Sequence, residues 1–276
     1  MREKTVNILL VCCLAAVVNV AARNLEIIGD RMNDGGETVK QAHTNREVLG
    51  EVKAQTPHII DEKAGTVIAK SAIDREGLER CFISREITEA VFQRIRGKSY
   101  QEGGETELSN LRYLKVLHYN FEHEIQVGEL IVSAGLAEEL CTIFQELFLA
   151  EYEIQSMRLI DDYWTGDGNS SDEASIQANN SSAFCYRVIA GKEKLSRHAY
   201  GCAVDINPLQ NPCVAYADGI PCGYPAYSAE FVEWRQGVRH VITEDDVCCR
   251  IFKEHGFNWG GDWSNPKDYQ HFEKRE

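Results

Sequence analysis

Proline and methionine are scarce in this sequence, at 6 and 3 of 276 residues, and its 21 glycines show no internal repeat. That excludes collagen-like and low-complexity architectures, and 10 cysteines in so long a chain exclude a cysteine-dense mini-protein. Positive charge is also short: 29 Lys and Arg face 43 Asp and Glu, a formal charge of −14. Phosphate-backbone binding needs clustered Lys and Arg, so nucleic acid is not an expected partner. There is no CxxC to suggest a zinc knuckle, and no run after residue 22 is apolar enough to span a bilayer.

The composition that remains, 43% hydrophobic and 26% charged, is globular. Its length supports one sizeable domain with extensions, or two small domains. Arg2 and Lys4 precede an apolar core from Ile8 to Val18, and Val20 and Ala22 place small residues before a cut at Arg23. Residues 1–22 are therefore expected to be a secretory signal, since the run is short of the roughly 20 residues that a membrane anchor needs. The expected location is secreted or periplasmic, in the cell envelope, with no membrane span in the mature chain. Disulfides are permitted there, and Cys213 and Cys222, flanked by Pro212 and Pro221, form the best candidate pair.

Residues 23–83 are polar and weakly periodic, and the spacing predicts a linker or poorly packed lead-in. The domain proper is expected over residues 84–276. Ile87, Val91 and Ile95 recur at helical spacing, with Ser84 as a candidate cap and Gly97 as a stop. Leu111–Leu117 suits a helix or a strand, Val127–Val132 a strand, and Leu136–Leu147 the strongest helix. Ile154–Ile160, Phe184–Val188 and Gly201–Ile206 read as strands, Asp161–Asn180 as a long polar loop, and Asp245–His255 as a helix stopped by Gly256. Short strands with few helices between them predict an α+β fold.

Two segments carry candidate chemistry. In Ser196–Asp205 an extended chain places Gly201, Ala203 and Asp205 on one face and Cys202 and Val204 on the other, with His198 just upstream. Downstream, Trp259-Gly260-Gly261-Asp262-Trp263 is followed by Asp268 and His271, three residues apart. His198, Asp205 and His271 are two imidazoles and a carboxylate, the ligand number of a catalytic zinc, and Asp268 remains as general base. The same residues also fit ordinary polar pairs, and spacing alone does not decide. Arg187 fits either an oxyanion anchor or a salt bridge. Cys248 and Cys249 read as buried thiols, and Trp259 and Trp263 as substrate stackers or packing residues.

Taken in order, S-x-H-x-x-G-x-A-x-D (Ser196–Asp205), W-G-G-D-W (Trp259–Trp263) and D-x-x-H-F (Asp268–Phe272) resemble the M15 zinc peptidases of bacterial cell walls and phages. The stretch Asn179–Arg187 resembles the segment ahead of the metal motif in some members, so the likeness spans about residues 84–276. The resemblance implies a small antiparallel-sheet metallopeptidase core of the hedgehog and D-Ala-D-Ala peptidase type. It implies Zn2+ on His198, Asp205 and His271, Asp268 as general base, Arg187 polarising the scissile carbonyl, and Ser196 orienting the substrate or the site's carboxylates. The implied substrates are peptidoglycan stem peptides, cut as a D-alanyl-D-alanine carboxypeptidase or an L-alanyl-D-glutamate endopeptidase. A non-catalytic zinc-containing wall-binding module is the reading from another class. The sequence departs from related ones at Cys185, two before the arginine, where Asn is frequent.

Overall fold

The structure, a computed structural model, describes residues 58–275 apart from Trp234 and Gln236. The expected signal segment and the lead-in through Pro57 lie outside the described residues. Along the chain run α1 (Lys70–Glu76), β1 (Ile83–Glu86), α2 (Glu89–Ile95), β2 (Leu111–Tyr119), β3 (Ile125–Ser133), α3 (Ala137–Leu149) and β4 (Ser156–Met157). They are followed by α4 (Gly168–Gln177), β5 (Asn180–Ser181), β6 (Ala203–Asp205), β7 (Cys213–Ala217), β8 (Ile220–Gly223) and α5 (Ala229–Glu233). The described chain ends with α6 (Val247–Glu254), β9 (Asn258–Trp259), β10 (Lys267–Asp268) and β11 (His271–Glu273). Three small antiparallel sheets, β1-β2-β3, β10-β7-β8 and β6-β11-β9, stand beside the parallel pair β4-β5. The fold is α+β, as the alternation of short strands predicts. No helix among the described residues is long and apolar enough to cross a membrane.

The main core forms where α3 packs on the long β2–β3 pair. Leu140, Ile143, Phe144 and Leu147 fall at i, i+3, i+4 and i+7 of α3 and are buried with Leu114, Val116, Leu130 and Val132. Each such side chain contributes about 1.5–3 kcal/mol by leaving water. The same core reaches β11. Phe144 meets Phe252 of α6 edge-on, and Phe252 stacks on Phe272 with ring centroids 4.2 Å apart. Because Phe272 is fully buried between His271 and Glu273, packing on one face of β11 fixes both polar side chains on the other.

Several expectations change. The described part of the expected lead-in, residues 58–83, is packed: Ile59, Ile60, Ile73, Cys81 and Phe82 are buried in the main core. Its apolar residues are too sparse for a periodic signal, and tertiary contacts alone reveal them. Ser84 lies in β1, and the cap of α2 is Thr88, whose Oγ1 accepts from Val91 N. The segment Ile154–Ile160 pairs only at Ser156–Met157, and Phe184–Val188 has no strand ladder. The expected loop Asp161–Asn180 contains α4, started by Asp167, whose carboxylate accepts from Ser170 N at 3.0 Å. All eight described cysteines are free. Cys213 and Cys222 do sit on paired strands, but the hairpin register, with Ala217 opposite Ile220 and Tyr216 opposite Pro221, puts Cys222 beside Ala215, two residues along β7 from Cys213.

Candidate metal centre and catalytic groups

β6 and β11 pair antiparallel with His271 directly across from Asp205. Cross-strand partners share a face, so register alone brings this imidazole and carboxylate together, with His271 Nδ1 3.0 Å from Asp205 Oδ1. His198 arrives from a 3-10 turn, Arg197–Tyr200, just before β6. Ser196 Oγ caps the turn by accepting from His198 N, and Gly201 closes it at φ +69°, a conformation that favours glycine. A Cβ at Gly201 would stand 2.5 Å from Ser133 N, so the glycine also lets the turn dock on β3.

The three groups converge. His198 Nε2 lies 3.3 Å from Asp205 Oδ2 and 3.2 Å from His271 Nδ1, and one ligand atom from each residue falls within 4.8 Å of the others. All three residues are buried. The outward nitrogens are committed: His198 Nδ1 is 2.6 Å from Ala183 O, and His271 Nε2 is 3.3 Å from Glu273 Oε2. A proton on each outward nitrogen makes the two facing nitrogens lone-pair bearers, which repel at 3.2 Å unless a cation lies between them. The donor set therefore fits a divalent metal such as zinc, with two imidazoles, one carboxylate and an orienting partner behind each ring. Without metal the need for positive charge falls on a proton. Burial opposes it, but hydrogen bonds with Asp205 and Glu273 push His271 up to about 10. Asp205 is held far below the usual carboxylate range because the two histidines outweigh its burial.

Asp268 is brought in by β10, which pairs with β7 (Asp268 opposite Cys213), and by a close approach of the Trp-Gly-Gly turn. A Cβ on Gly260 would meet Asp268 O at 2.4 Å, so only glycine lets that turn pass. Burial lifts the Asp268 carboxyl to about 7, with the histidines and Arg187 pulling it down and Asp205 pushing it up. Its Oδ1 is buried without a hydrogen-bond partner among the described residues. A buried carboxyl with a free oxygen and a near-neutral pKa has the properties of a general base.

Arg187 shares this electrostatic field, with Asp205 and Asp268 both favouring its charge. Its Nη2 is 2.8 Å from Asp172 Oδ2 of α4, and each of the two side chains is only 13% exposed. The guanidinium Nε has no partner among the described residues. Asp172 and Glu273 escaped sequence reasoning. Glu273 carried a signal, since His271 and Glu273 two apart on a strand must share a face. Asp172 carried none.

The remaining expected residues also have definite places. Ser196 holds the His198 turn. Cys185 is buried, its Sγ 3.7 Å from Gly168 O at the start of α4, and burial pushes its thiol well up. Cys202 and Val204 face the core, as the alternation predicts. Trp259 is core, donating Nε1–H to Tyr269 O, whereas half-buried Trp263 packs its ring 5.3 Å from that of His271.

Residues 190–274 match a family model described as D-alanyl-D-alanine carboxypeptidase. The match takes in His198, Asp205, Asp268 and His271 and stops short of Arg187 and Asp172. No curated protein and no solved structure matches the chain. Together with the buried His–Asp–His set, the match supports an M15 family peptidase.

Proposed function

We propose that the protein is a zinc-dependent peptidase that hydrolyses a D-amino-acid-containing amide bond in peptidoglycan stem peptides, foremost as a D-alanyl-D-alanine carboxypeptidase working outside the cytoplasm. The observation that carries this reading is the convergence of His198 Nε2, His271 Nδ1 and the Asp205 carboxylate, with both outward ring nitrogens occupied. The β6-β11-β9 sheet would be the metal-bearing part of a hedgehog-type core.

His198, Asp205 and His271 would hold the metal, which when bound supplies a Lewis acid that acidifies water and polarises a carbonyl. Asp268 takes the proton of the attacking water on its free Oδ1 and passes it to the leaving amine, which its near-neutral carboxyl allows in both directions. Arg187, anchored by Asp172, donates to the carbonyl oxygen as charge builds there. Ser196 orients His198, and the outward hydrogen bonds to Ala183 O and Glu273 fix both imidazole tautomers. Asp268 and Arg187 favour catalysis over a purely structural metal, because a wall-binding module needs neither group.

The test incubates purified protein with muropeptides, with and without a chelator, and reads the fragments by mass spectrometry. Chelator-sensitive release of terminal D-Ala supports the reading. Cleavage after L-Ala replaces it with the endopeptidase, and no cleavage by protein carrying one metal per chain replaces it with the binding module.

A further inference from the structure

Away from the metal, the other face of the β1-β2-β3 sheet carries a feature that the peptidase reading leaves unused. Lys115 and Glu129 are direct cross-strand partners on β2 and β3, and both are almost fully buried, at 4% and 3% exposure. Their neighbours on the same face, Leu111 and Ile131, belong to a small apolar cluster with α2 and Phe184. Charges set into such a face cost several kcal/mol each to desolvate, and a sheet that needed only covering would carry apolar residues there. These side chains line a cleft of about 450 Å3, within the roughly 300–1,000 Å3 of small-ligand sites.

Three of the four acids and Arg94 are paired, whereas the carboxylate of Glu62, exposed at the rim, and the three other bases have no ion-pair partner among the described residues. Glu129 accepts two N–H bonds from Arg94, at 2.6 and 2.9 Å, and a third from the Tyr113 hydroxyl. Asp162 is paired with the same arginine, and Asp61 with Arg85. Lys115 Nζ lies 6.0 Å from the Tyr113 ring centroid and has one hydrogen-bond acceptor among the described residues, the Glu62 carbonyl at 2.7 Å, which leaves two of its N–H donors without an acceptor there. The half-buried Arg158 guanidinium has no hydrogen-bond or ion-pair partner among the described residues, although its backbone is fixed by Asn180. Lys63, exposed at the rim, likewise has no side-chain partner. Lys63, Arg94, Lys115 and Arg158 balance four lining carboxylates, so the cleft is formally neutral.

We propose that this cleft is a second ligand site, separate from the metal centre, for a small zwitterion of the amino-acid or short-peptide class. Arg158 and Lys115 take the carboxylate, and the acidic rim takes the ammonium. A zwitterion leaves the site neutral, whereas a doubly charged phosphate would leave it at about −2 among buried charges, which the low dielectric penalises.

The test measures binding of L-alanine, acetate, methylamine and inorganic phosphate to the metal-loaded full chain by ligand-observed NMR and calorimetry. The expected result is saturable binding of alanine at least tenfold tighter than of the other three. Arg158→Gln should weaken it at least tenfold and leave peptide hydrolysis intact. Lys63→Glu, at an exposed position whose side chain has no partner among the described residues, should weaken it at least threefold. Asp268→Ala should leave it unchanged, which separates the cleft from the metal centre. Unchanged alanine affinity in both Arg158→Gln and Lys63→Glu, equal affinity for acetate or phosphate, or no saturable binding at millimolar concentration would each overturn the proposal.

Discussion

Asp172 and Arg187 form a buried ion pair whose energetics separate a structural role from a functional one. Both side chains are 13% exposed at an N–O distance of 2.8 Å, so solvent screens them little. Burial lifts the Asp172 carboxyl above its ordinary value despite the adjoining guanidinium, whereas at Arg187 the surrounding acids, Asp172 foremost, outweigh burial and favour the charge. Asp172→Ala strands a buried cation and should cost about 3–5 kcal/mol. Replacing both partners together, Asp172→Leu with Arg187→Met, removes the two charges and should return stability to within about 1 kcal/mol of the parent. The control is the exposed pair Arg96–Glu102, with side chains 51% and 54% exposed, where Glu102→Ala should cost under about 1 kcal/mol. Urea denaturation of full-length variants in the same metal state gives the stabilities, and muropeptide turnover gives the function. The double variant should be stable and inactive. If it were as unstable as Asp172→Ala, the stranded-charge reasoning would be wrong, and if it were as active as the parent, the assignment of Arg187 to the reaction would be wrong.

Other outcomes follow from the same geometry. Asp268→Ala should retain one metal per chain by elemental analysis and lose roughly 10²–10⁴-fold in turnover, the usual worth of a general acid–base group. Added zinc at about 1,000 times its Kd should stabilise the chain by about 4 kcal/mol, a rise of roughly 8–16 °C in Tm, and His271→Ala should abolish the shift in a thermal scan. His118 is buried with its Nδ1 2.8 Å from Ile154 O and its Nε2 unpartnered among the described residues, and burial lowers its pKa to about 4. The unfolded chain therefore takes up that proton first as pH falls from about 6.5. Stability should drop by about 1.4 kcal/mol per pH unit from that group down to about pH 4, and His118→Gln should flatten the slope in denaturation curves taken across that range.

The His198–Asp205–His271 cluster was legible as a candidate because its signals are local. Strand alternation put Asp205 on the opposite face from Cys202 and Val204, and two of the three separated motifs carried the remaining candidate ligands, His198 and His271, and Asp268. The strong amphipathic helix around Leu136–Leu147 and the stop at Gly256 also read directly from the pattern. What the sequence hid depends on contacts distant along the chain. α4, GNSSDEASIQ, buries Ser171 and Ser175, so it offers no apolar stripe, and its polar face reads as a loop. Asp172 becomes meaningful only once that helix packs beside Arg187. Ile59, Ile60 and Phe82 are likewise scattered in a polar context, and they become core only where the sheet accepts them. The separation of Cys213 from Cys222 depends on the register of a short hairpin, with Ala217 opposite Ile220, which no flanking proline encodes.

The most direct test of the account strips the purified chain of metal, restores zinc in measured steps, and follows amide cleavage in muropeptides beside the His198→Ala and His271→Ala variants. The account predicts that turnover falls to background on stripping and returns in proportion to zinc up to one ion per chain. Neither variant should respond to zinc. Full turnover by the stripped chain, or zinc-restored turnover in His271→Ala, would contradict it.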